Sequence, residues 1–115
     1  MDIKGDTTVL QIAEPIIGIE LDSKDVNVFW KMPEAEMYVE PADIDNWLFF
    51  DSIGRELRIT PNLDGQRIDI VATQKIDKST LRIFIEAYLR QPDLANDTRI
   101  NFLRKLTREL PGQIQ

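Results

Sequence analysis

The chain contains no cysteine and no histidine. Without cysteine there are no disulfides, thiolate metal sites or thiol nucleophiles, a composition that suits a reducing compartment and predicts a cytoplasmic protein. Without histidine the chain lacks the usual general base near neutral pH, the usual partner of a nucleophilic serine and the commonest transition-metal ligand. The five glycines, Gly5, Gly18, Gly54, Gly65 and Gly112, lie too far apart for a GxGxxG turn or a Walker loop, so the backbone cradle of a nucleotide site is missing. Long apolar runs are absent too: no window approaches the roughly 18 to 20 residues that a membrane span needs. The opening MDIKGDTTVL has no basic region followed by an apolar stretch, which predicts a chain that keeps its first residues.

What the sequence does have is acid in one place. Between Lys31 and Arg55 stand Glu34, Glu36, Glu40, Asp43, Asp45 and Asp51, with no Lys or Arg among them. Removing these six from the 20 acids leaves 14 against 14 basic residues, so this segment accounts for the whole formal charge of -6. Such a field repels nucleic acid phosphates and favours a basic protein partner.

At 115 residues and 43% hydrophobic content the chain is expected to form one domain with one core. Short runs rich in β-branched and aromatic residues predict strands at Thr7–Ala13, Ile16–Leu21, Val26–Met32, Glu36–Val39, Trp47–Phe50, Glu56–Thr60 and Arg67–Thr73. Asp22-Ser23-Lys24-Asp25, Ser52-Ile53-Gly54 and Asn62-Leu63-Asp64-Gly65 read as the turns of antiparallel hairpins. After Lys75 the apolar period becomes helical. Leu81, Phe84, Ile85, Tyr88 and Leu89 form one stripe, with Asp77 or Ser79 as cap and Pro92 beyond its end. A second helix is predicted over Thr98–Leu110, capped by Asp97, facing inward through Ile100, Leu103, Leu106 and Leu110, and stopped by Pro111-Gly112. Strands first and helices after predict an α+β domain, an antiparallel sheet with two C-terminal helices on one face.

Several motifs read better as structure than as chemistry. Asp43-x-Asp45 begins like a calcium loop, but Trp47 stands at the third oxygen position, Leu48 where glycine is required and Gly54 where the last glutamate belongs. The pairs Glu34 with Glu36 and Asp43 with Asp45 could divide acid and base roles only inside a shared cleft, for which a chain of this length has little room. Asn96-Asp97-Thr98 fits a glycosylation sequon and equally a helix cap. Arg99, Arg104, Lys105 and Arg108 suit the C-terminal half of a helix through its macrodipole. No catalytic residue, cofactor or metal is expected.

Six of the nine aromatics, Phe29, Trp30, Tyr38, Trp47, Phe49 and Phe50, fall in the same neighbourhood as the acids. Period-two alternation would send aromatics inward and carboxylates outward. The unbroken run Trp47-Leu48-Phe49-Phe50 resists that explanation, because a strand with one buried face must turn some of those side chains to solvent. An exposed aromatic rimmed by carboxylates has the composition of an interface, so Glu34, Glu36, Tyr38, Glu40, Asp43, Asp45, Trp47 and Asp51 are the candidate partner-binding residues.

Phe49-Phe50-Asp51-Ser52-Ile53-Gly54-Arg55-Glu56-Leu57-Arg58 and Thr80-Leu81-Arg82-Ile83-Phe84-Ile85-Glu86-Ala87-Tyr88-Leu89-Arg90, 21 of the 115 residues together, resemble segments of small bacterial immunity proteins that neutralise polymorphic or contact-dependent toxins. That resemblance implies a cytoplasmic, acidic, non-enzymatic protein bound to a cognate toxin, in many cases a nuclease covered over its active site. It carries over no individual residue. An acidic secretion chaperone, a regulatory adaptor and a small-molecule-binding domain are the alternative readings; a chaperone would be an obligate dimer, an immunity protein one half of a one-to-one complex.

Overall fold

The computed structural model describes residues 11–110. They form a five-stranded antiparallel sheet followed by two C-terminal helices, the α+β architecture expected. The strands are β1 (Ile16–Glu20), β2 (Val26–Phe29), β3 (Trp47–Phe50), β4 (Arg55–Pro61) and β5 (Ile68–Ile76), in the spatial order β2-β1-β3-β4-β5. Helices α2 (Lys78–Leu89) and α3 (Thr98–Glu109) close the chain.

Three predicted elements differ. Glu36–Val39 is not a strand: Met32–Tyr38 form helix α1, and a short 3₁₀ helix, Pro41–Asn46, follows it. Pro33 sits in the first turn of α1, where its missing N–H costs no bond, and Glu34, Ala35, Glu36 and Met37 are good helix formers. Strand β2 consequently ends at Phe29 rather than Met32. Of the predicted first strand, residues 7–10 lie outside the described residues, and residues 11–13 are not in a strand.

The sheet is covered on both faces, one by the expected helix pair and the other by α1. On one side Ile17, Ile19, Val26, Val28 and Phe50 pack against Leu81, Ile85, Tyr88, Ile100, Leu103 and Leu106 of α2 and α3, with Phe84 and Leu89 only partly buried at the margin. On the other side Ile16, Phe29, Trp47, Phe49, Leu57, Ile68 and Ile70 pack against Ala35 and Val39, around α1. This explains the run Trp47-Leu48-Phe49-Phe50. Trp47 and Phe49 point to one core, Leu48 and Phe50 to the other, and none is turned out to solvent. Each such fully buried side chain is worth about 1.5–3 kcal/mol of transfer free energy.

Gly18 is what lets three rings meet on the α1 side. A Cβ at this position would lie 3.0 Å from Phe29 Cε2, 3.1 Å from Phe49 Cε1 and 3.1 Å from Trp47 Cζ3. The helix ends follow local chemistry. Asp77 accepts the Thr80 N–H at 3.1 Å and Asp97 the Ile100 N–H at 3.0 Å, so of the two candidate caps for α2 it is Asp77 that holds the first turn.

Candidate protein interface

Helix α1 enters through an acidic collar. Glu14 Oε2 accepts the Met32 N–H at 2.7 Å, and Glu34 Oε1 accepts the Trp30 N–H at 3.1 Å, so two carboxylates satisfy amides at the helix N-terminus. Ala35 and Val39 turn inward, which leaves Met37 and Tyr38 outside, 68% and 60% exposed. Tyr38 nevertheless rests on the core: its ring lies 5.4 Å from that of Phe29 and 5.9 Å, edge-on, from that of Trp47. One face of the tyrosine is therefore fixed and the other is offered to solvent.

The 3₁₀ helix follows α1 directly in the chain. Glu40, Asp43 and Asp45 are exposed along it. The Asp43 N–H donates to Glu40 O at 2.8 Å, and Asn46 O accepts the Leu21 N–H at 2.7 Å, tying the segment to the β1–β2 turn. Glu36 is half-buried. Burial first and the Asp69 carboxylate second raise its pKa above the ordinary 4.5, against the opposing pull of Arg67.

Of the eight predicted contact residues six fall on two consecutive elements: Glu34, Glu36 and Tyr38 on α1, Asp43 and Asp45 on the 3₁₀ helix, and Glu40 between them as its N-cap. Two are withdrawn from the surface. Trp47 is 8% exposed and lies beneath Tyr38 as core. Asp51 is 0% exposed and stands at the opposite end of β3. It accepts the Ile53 and Arg55 N–H groups through Oδ1 and the Ala13 N–H through Oδ2, and Arg55 Nε approaches Oδ2 at 3.9 Å. Asp51 thus builds the β3–β4 turn and cannot touch a partner.

Met37 is the exposed residue that the sequence reading missed. The helical spacing of Met32, Ala35 and Val39 was the available signal, since it turns the intervening Met37 outward. The carboxylate pairs do not share clefts. Residues two apart diverge on an α-helix, which separates Glu34 from Glu36, and likewise on a 3₁₀ helix, which separates Asp43 from Asp45. Among the described residues no three acids gather as a metal site, and no helix is long and apolar enough to cross a membrane. No protein-family model matches the chain, and neither the curated proteins nor the solved structures contain a match.

Proposed function

We propose that this protein is a non-enzymatic binding module that docks a basic protein through α1 and the 3₁₀ helix, in the manner of a bacterial immunity protein holding a toxin in the cytoplasm. The observation that supports this reading most is the pairing of a half-exposed Tyr38, braced on Trp47, with Met37 and the exposed carboxylates Glu34, Glu40, Asp43 and Asp45. Aromatic and methionine side chains supply desolvated area, while carboxylates around them steer a cationic surface and set its register. A nuclease presents such a surface in its substrate groove, where spaced carboxylates can take the place of phosphates.

The test is to express the product of the neighbouring gene with and without this chain. Growth arrest by that product alone, relieved by wild type and relieved poorly by a Tyr38→Ala/Asp43→Asn/Asp45→Asn variant that folds normally, is the expected result. Relief by both forms alike would remove the acidic face from the account.

A further inference from the structure

We propose that the tip of the β4–β5 hairpin belongs to the docking surface and carries its apolar anchor, Leu63, so that the basic partner offers a cleft with an apolar pocket rather than a flat face. This rests on the docking function proposed above and specifies the shape and chemistry of the partner.

The ladder of β3 with β4 ends at Leu57, while that of β4 with β5 runs on in regular register from Arg58 opposite Val71 to Pro61 opposite Ile68. Past Leu57 the hairpin is therefore a two-stranded arm. A lone two-stranded ribbon is marginal in water, and this one is braced from one side. Ile59, Ile68 and Ile70 turn into the core that also holds Ala35 and Val39 at α1 and Ile44 of the 3₁₀ helix. Helix α1 lies against β5, and the 3₁₀ helix lies against β4. The charges of Asp69 and Arg67 are felt at Glu36, which sets the outer half of the arm beside α1. The elements that carry Glu34, Tyr38, Asp43 and Asp45 thus flank the arm, and its tip, exposed from Leu63 to Arg67, continues into solvent.

The tip is built to hold one conformation. The Asn62 N–H donates to Arg67 O at 2.8 Å, and the Gly65 N–H donates to Asn62 O at 3.0 Å. Asn62 Oδ1 accepts the Arg67 N–H at 3.3 Å, and Asp64 Oδ1 accepts the Gln66 N–H at 2.9 Å. Gly65 supplies the left-handed φ of 72° that the turn requires. Among these polar residues stands Leu63, fully exposed and part of neither core. A single exposed leucine is ordinary on a protein surface. This one is set on a preorganised loop beside the acidic elements, so its burial in a partner demands little further ordering. An anchor on a projecting arm needs a concavity to receive it, and the carboxylates flanking the arm call for cations around that concavity.

Stopped-flow binding of the purified product of the neighbouring gene tests this with Leu63→Ala, Leu63→Met and Leu63→Asp. All three should melt with the wild type, because the side chain lies outside both cores. Leu63→Ala is expected to speed dissociation about tenfold or more with little change in association, and Leu63→Met to restore most of the loss. Leu63→Asp separates an anchor from a rim position. A further carboxylate on the rim would speed association with a cationic partner and tighten the complex, whereas in an apolar pocket it should weaken binding more than alanine does. Dissociation of Leu63→Ala at the wild-type rate, or tighter binding by Leu63→Asp, overturns the anchor. If Asp43→Asn/Asp45→Asn still associates slowly in that case, the acidic face stands without it. Both readings fall together if the tip variants and the acidic variant all keep the wild-type rates, or if the wild-type chain forms no complex.

Discussion

Asp51 Oδ1 accepts the backbone N–H of Arg55 at 2.9 Å, while the Asp51 N–H donates to Arg55 O at 2.9 Å, closing the β3–β4 turn from both directions. The same carboxylate holds Ile53 and, across 38 residues, Ala13. Asp51→Ala leaves these buried amides without acceptors and is expected to destabilise the fold by about 2 kcal/mol or more. Asp51→Asn, which keeps one acceptor oxygen, should cost less. Urea denaturation of the two variants gives the order, and equal midpoints for both and for wild type would show that the carboxylate holds nothing.

Gly18→Ala should also destabilise, by about 1–3 kcal/mol, because a methyl group there meets three rings that brace one another. Near-ultraviolet circular dichroism should change with it, since Trp47 and Phe49 must shift to make room. A variant as stable as wild type would mean that the rings yield freely.

In the helix pair, Ile85→Ala is expected to cost about 2–5 kcal/mol, as a fully buried side chain facing both the sheet and α3. Phe84→Ala should cost less, because Phe84 sits at the margin of that cluster. Chemical denaturation midpoints decide the ranking, and the reverse order would mean that the inward face of α2 is rotated from the one described.

At the acidic face, changing Glu34, Glu36, Glu40, Asp43 and Asp45 to their amides should slow association with a basic partner by roughly tenfold or more at low salt and flatten its salt dependence. Tyr38→Ala should act chiefly on dissociation, with an effect of about 2 kcal/mol, and leave the thermal midpoint nearly in place. Trp47→Ala should instead unfold the domain, since that ring is core. Stopped-flow kinetics beside thermal melts separate the three, and unaltered rates in the five-amide variant would reduce the cluster to a solvated surface.

Two carboxyls shape the pH profile in opposite senses. Glu36 has a folded pKa above 4.5, so its contribution to stability is fully present below that value and is lost as pH rises through the folded pKa. Glu36→Gln should therefore raise the melting temperature at pH 7 and leave it little changed well below 4.5. The Asp77 pKa is held below the ordinary 3.8 by the Thr80 hydroxyl and N–H first and by Ser79 and Lys75 to a lesser degree. Its contribution is present above 3.8 and lost as pH falls through the depressed value. Asp77→Ala should cost about 1 kcal/mol at neutral pH, a loss that shrinks in strong acid. Melting curves from pH 2 to pH 8 check both signs.

What the sequence determined was whatever short-range chemistry decides. Asp77 and Asp97 cap their helices because each side chain needs only an amide three residues on, and Leu81, Ile85 and Tyr88 are buried together because a helix brings that spacing to one side. The α+β order followed from the change of period after Lys75. The tertiary structure decided what the second face of the sheet would meet. Glu36–Val39 alternates like a strand, yet Pro33, Ala35 and Val39 make it the end of a helix once a second core lies beneath it. With both faces covered, Trp47 became core and passed the exposed position to Tyr38, which no local pattern could reveal. Asp51 counts as an acid in the sequence and as a turn scaffold in the fold, because the N–H of Ala13 that completes its shell arrives from 38 residues away.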